Sequence, residues 1–94
     1  MKNVCQEFGI YIKQRRLERG LTQEEVAKML GISQVSYGRY ELGQREPGLD
    51  LIYRIAEALQ FDVADFFGEY MAARMKRYKF YQEAINGDKD TKQE

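Results

Sequence analysis

Residues 21–43 read LTQEEVAKMLGISQVSYGRYELG, and this stretch decides the fold. Thr22 suits the N-cap of a helix, and Glu25 three residues later completes a capping box that satisfies backbone N–H groups at the helix start. Leu21 before the cap and Val26 after it form a hydrophobic staple. Val26, Ala27 and Leu30 then share one face, with Ala27 small where a second helix must come close. Gly31 ends the helix, because glycine takes the left-handed conformation at little cost. Ile32 points back to the core and Ser33 caps the next helix, while Ile32 and Tyr37 repeat the staple. Tyr37 and Tyr40, three apart, bury one face of this second helix, and Gly43 stops it. The spacing predicts a helix, a tight turn and a second helix.

Gln34, Val35, Gly38 and Arg39 are left facing outward. A carboxamide suits bidentate contact with adenine, a guanidinium suits guanine, and an apolar side chain such as Val35 can meet a thymine methyl. An ordinary solvated helix carries the same residue types. The fixed spacing of Ala27, Gly31, Ile32, Tyr37 and Tyr40 favours a helix held out for a DNA major groove.

The segment from about Phe8 to Phe67, roughly two thirds of the chain, resembles the phage repressor/Cro-like, Xre-type helix-turn-helix domain. The most specific part is LTQEEVAKMLGIS, followed by a helix ending in YELGQREP and then by LDLIYRIAEAL. The resemblance implies that Gln23 contacts a DNA phosphate and can brace Gln34. It implies that Ser33, Gln34, Val35 and Arg39 face bases or adjoining phosphates, and that Gln44 and Arg45 sit over the DNA backbone. It also implies a partly buried ion pair between Arg16 of the first helix and Glu41 at the end of the recognition helix. Three residues depart from the family pattern. Tyr37 stands where Ile or Val is usual, so the core there is roomier or the ring leans out. Gly38 lies inside the recognition helix, and Leu42 replaces a common Asn.

Ninety-four residues make one domain with a modest core. Fifteen basic and fifteen acidic residues cancel. This neutrality argues mildly against a nucleic-acid partner, whose electrostatic footprint is usually basic. Placement matters more than the sum. Lys28, Arg39 and Arg45 lie on the presumed DNA face, with Glu46 near it, which predicts few phosphate contacts and a shallow salt dependence. There is no histidine, which excludes imidazole base catalysis and histidine metal sites. Cys5 is the single cysteine, so no intramolecular disulfide forms, and it reads as an incidental thiol near a frayed terminus. No apolar run approaches a membrane span, and MKNVCQEF is broken by polar residues where a secretory core would be. A cytoplasmic protein with no membrane association is expected.

Outside the motif, Phe8, Ile12, Arg15 and Arg16 belong to a first helix ended by Gly20. A loop containing Pro47 leads to Gly48, which caps a fourth helix whose Leu51, Ile52, Ile55, Ala56 and Leu59 recur at helical spacing. Asp62 caps a fifth, with Phe61 and Phe66 as its staple. The fold class expected is all-α: a five-helix repressor-like bundle with a C-terminal helical extension. Residues 1–68 form the helix-turn-helix domain, 69–86 a C-terminal helix and 87–94 a disordered tail. Phe67, Met71, Met75, Tyr78 and Ile85 make an apolar stripe along the extension. It reads as a dimer interface, because so small a bundle has little uncovered core to receive it.

The leading function is a sequence-specific transcriptional regulator that reads a near-palindromic operator on double-stranded DNA as a homodimer. A second reading is an antitoxin or a restriction-system controller whose C-terminal helix binds a protein partner. No nucleophile–base pair, metal cluster or Gly-rich phosphate loop is present, so no catalytic residue, cofactor or metal is expected.

Overall fold

The computed structural model describes residues 2–73 and 83–86. Five helices follow one another: α1 (Val4–Glu18), α2 (Gln23–Leu30), α3 (Gln34–Glu41), α4 (Leu49–Leu59) and α5 (Val63–Ala73). Residues 83–86 are also helical, and no strand occurs among the described residues. The molecule is all-α.

Local chemistry sets the helix ends. The Thr22 hydroxyl accepts from the Glu25 amide at 3.0 Å, and the Glu25 carboxylate accepts from the Thr22 amide at 2.8 Å. Gly31 turns the chain with φ 72°, after which the Ile32 amide bonds back to the Ala27 carbonyl at 3.0 Å. The Ser33 hydroxyl accepts from the Ser36 amide at 3.1 Å and starts α3. The Asp62 carboxylate accepts from the Ala64 amide at 2.9 Å at the start of α5. Two arginines bind helix C-termini, where carbonyls lack partners and the helix dipole is negative. Arg54 donates to the Leu30 carbonyl at 2.6 Å, and Arg19 donates to that of Ala58 at 2.9 Å.

One expectation fails at the N-terminus. Cys5 does not lie at a frayed end. α1 begins at Val4 under a capping box in which Asn3 and Gln6 exchange bonds of 2.9 and 3.0 Å. The Cys5 thiol is half-buried and donates to the Arg45 carbonyl at 3.4 Å, so it ties α1 to the loop after α3. Burial, reinforced by Glu46, holds its pKa above the ordinary thiol value and keeps it protonated.

The core is one cluster. Phe8 and Ile12 of α1 meet Val26, Ala27 and Leu30 of α2, Tyr37 of α3, Ile55 and Leu59 of α4, and Phe66 of α5. The Tyr37 ring does not lean out; it is fully buried. An aromatic patch fastens α5 to α1. Phe8 and Phe66 meet edge-to-face at 5.2 Å, and Tyr11 and Phe61 do so at 5.1 Å. α5 passes through Gly68 without a break.

Between α1 and α3 the packing is backbone on backbone. A methyl group at Gly9 would stand 2.6 Å from the Tyr40 carbonyl oxygen and closer still to that of Glu41. Only glycine permits this approach, and it sets how α3 is carried. Gly38 is different. A methyl group there would meet only the Gln23 carboxamide, at 3.5 Å, an ordinary contact. Gly38→Ala should therefore stabilise the chain by about 0.5–1 kcal/mol through helix propensity. A denaturant midpoint that moves upward with an unchanged slope checks this.

Candidate nucleic-acid interface

α3 divides into two faces. Tyr37 and Glu41 are buried, and Tyr40 is half-buried against the core. Gln34, Val35 and Arg39 are exposed, and Val35 keeps 65% of its surface in solvent. Ser33 is exposed at the N-terminus of this face, and Gln44 and Arg45 are exposed beyond its C-terminus. These six residues form one outward strip along the helix and its following loop. Lys28 and Glu46 are exposed as well. The half-buried Gln23 reaches α3 from the start of α2.

A buried polar network supports the strip from beneath. Glu41 accepts from Arg16 Nε at 2.6 Å and from Arg16 Nη2 at 3.1 Å. Arg16 Nη1 donates to the Leu21 carbonyl at 2.8 Å. The pair is bidentate, the geometry that a planar guanidinium offers a carboxylate. Side-chain exposure is 9% for Arg16 and 2% for Glu41, so water contributes little to solvating either charge. Gln23 joins the same carboxylate, donating from Nε2 to Glu41 Oε1 at 3.0 Å. The bond between Gln23 and Glu41 could not be read from the sequence, because it depends on how α2 crosses α3.

The Tyr37 hydroxyl lies near this carboxylate without reaching hydrogen-bond geometry, and it is buried. Burial, with the Glu41 charge close by, holds its pKa well above the usual phenol range. Burial pushes the Glu41 carboxyl up, but the bonds from Arg16 and Gln23, with Tyr37 near, outweigh it, and its pKa lies below the ordinary value.

Residues of the proposed stripe are placed unevenly. Phe67 and Ile85 are 42% and 46% exposed. The Met71 side chain and all of Met75 and Tyr78 lie outside the described residues. Among the described residues no cluster of metal-ligating side chains occurs, and no helix is long and apolar enough to cross a membrane.

A buried anchor under an exposed polar helix, joined to a first helix through Gly31, is the geometry of a helix-turn-helix unit. The helix-turn-helix family model matches residues 12–66, more than half of the chain. The chain belongs to the Xre-type, phage repressor/Cro-like helix-turn-helix family of transcriptional regulators. Members similar to it include the HTH-type transcriptional regulator YqaF of Bacillus subtilis, 44% identical over 57 residues, which cover 61% of this chain and 75% of YqaF. The cryptic phage CTXphi transcriptional repressor RstR of Vibrio cholerae is 32% identical over 62 residues, which cover 66% of this chain and 56% of RstR. Among solved structures, the restriction-modification controller protein C.AhdI of Aeromonas hydrophila superposes with a TM-score of 0.62 at 31% identity, covering 66% of this chain and 94% of that one. The family match ends at Phe66, so α5 beyond that residue lies outside it.

Proposed function

We propose that this regulator reads a near-palindromic DNA operator as a homodimer, with one α3 in each of two successive major grooves. The observation that carries the reading is the split of α3. Tyr37 and Glu41 lock one side into the bundle, and Gln34, Val35 and Arg39 are left in solvent on the other. Gln34 and Arg39 discriminate bases, and Val35 offers a methyl-sized apolar contact. Gln23, Ser33, Gln44 and Arg45 fix the docking through phosphates. The Glu41 bond leaves the Gln23 Oε1 and one amide hydrogen uncommitted by that contact, and the remaining hydrogen is the donor a phosphate needs.

Two-fold pairing through the stripe of Phe67, Met71, Met75, Tyr78 and Ile85 would set two recognition helices about one DNA turn, roughly 34 Å, apart. The exposure of Phe67 and Ile85 supports that role. Residues 69–86 would then serve as the dimerisation helix and 87–94 as a tail. The likeness to a restriction-modification controller favours a second reading, in which the chain regulates a restriction system.

Arg39→Ala tests the base-reading assignment. On DNA recovered from a random-sequence pool, it should relax preference at one position of each half-site, with about 1–3 kcal/mol of discrimination lost there. Equal weakening on all sequences would reassign Arg39 to a phosphate.

A further inference from the structure

A shallow cleft opens between α1 and the α2–α3 unit, beside the C-terminal end of the recognition helix. Gln6, Ile10 and Lys13 line it from successive turns of α1, with Lys2 ahead of that helix. Gln23 and Leu42 complete it from the other side. The carboxylate in its lining is Glu41, already held by Arg16 at 2.6 Å and by Gln23 at 3.0 Å. With that carboxylate paired to Arg16, Lys13 brings a positive charge to the cleft, in a chain whose formal charge is zero. Its apolar lining is also open to solvent, with Ile10 46% and Leu42 67% exposed.

We propose that this cleft seats a stretch of DNA sugar–phosphate backbone, and that Lys13 is a phosphate contact additional to those of α3 and its following loop. The inference rests on the DNA-reading role given above and extends that interface onto α1. Continuity argues for it, because Gln23 lines the cleft and also lies against the base-reading helix at Gly38 and Glu41. Leu42 and Ile10 give the cleft apolar surface that suits deoxyribose, and the Lys13 ammonium lines it with them. Lys13 follows Ile10 by three residues, so its stem lies along the same face and its charged end extends past it. An anionic backbone is the occupant that matches the Lys13 charge together with the apolar surface of Ile10 and Leu42.

The test titrates the full chain, Lys13→Ala, Lys13→Arg and Gln23→Ala on one selected duplex and one unrelated duplex across a range of salt. Lys13→Ala should lower the slope of log affinity against log salt by about 0.9 per bound subunit. It should weaken binding several-fold near about 0.1 M salt on both duplexes alike, because phosphate contacts carry no sequence information. Its melting temperature should match the parent, since Lys13 is exposed. Lys13→Arg should keep the parental slope. If Gln23→Ala weakens binding while Lys13→Ala changes neither slope nor affinity, the cleft is no DNA seat and the inference is overturned. A loss that Lys13→Arg fails to restore overturns it as well. If the parent chain binds neither duplex, the DNA-reading role itself falls, and the inference with it.

Discussion

Glu41→Ala should destabilise the chain by about 3–5 kcal/mol, since it leaves the Arg16 guanidinium buried without its counter-ion. Arg16 would keep only the Leu21 carbonyl at 2.8 Å, and Gln23 would lose its Glu41 partner. Chemical melts of parent and variant give the difference directly. A loss below about half a kcal/mol would place the pair among surface bridges of little consequence. Replacing both partners, as Arg16→Met with Glu41→Leu, should recover most of the loss, because apolar groups of similar volume remove both desolvated charges. The pH dependence follows from the depressed Glu41 pKa. The Glu41 contribution is fully present above the ordinary glutamate value of 4.5 and is lost as pH falls through the lower folded-state value. The gap between parent and Glu41→Ala should therefore stay constant above that value and shrink in acid.

Gly9→Ala should cost about 2 kcal/mol or more, although alanine is the better helix former by about 1 kcal/mol. The obstacle is backbone rather than a flexible side chain. The Tyr40 carbonyl oxygen lies 2.6 Å from the required methyl position and the Glu41 carbonyl is nearer still. α1 and α3 must separate to admit it, and the separation loosens the Arg16–Glu41 pair that spans them. The same substitution at Gly38 meets no such obstacle, so the two glycines of similar helical setting should respond with opposite sign. Thermal melts of Gly9→Ala and Gly38→Ala side by side would show it. A Gly9→Ala chain as stable as the parent would mean that α3 is not held by this contact.

What could be read from the sequence divides along physical lines. The boundaries of α2 and α3 were legible because Thr22, Glu25, Gly31 and Ser33 act on backbone groups within a few residues of themselves. The α4 face was legible from the spacing of Ile55, Ala56 and Leu59. The end of α4 was not, because Gln60 takes the left-handed conformation at φ 59° where glycine or asparagine is the usual signal. The α1 start carries a local signal too, because Asn3 and Gln6 have capping-box spacing. The place of Tyr37 was ambiguous, since burial of a ring depends on neighbours from other helices. The Gly9 contact, the Gln23–Glu41 bond and the Cys5 tether were illegible for the same reason. Each joins residues separated by a helix crossing that no local pattern encodes.

The same division applies to the interface. Residue type and helical phase were enough to point Gln34, Val35 and Arg39 outward. The α1 cleft required three dimensions, because Ile10 and Lys13 are distant in sequence from Leu42 and line one cleft with it only in the folded chain.

The most direct measurement is selection of bound duplexes from a random-sequence DNA pool by the parent chain. Enriched sites should be built of two inverted half-sites with centres about one helical turn, roughly 10–10.5 base pairs, apart. Loss of that enrichment in a variant altered only at Gln34, Val35 and Arg39 would follow. A pool that emerges without any shared sequence, at salt low enough to hold DNA on the protein, would contradict it.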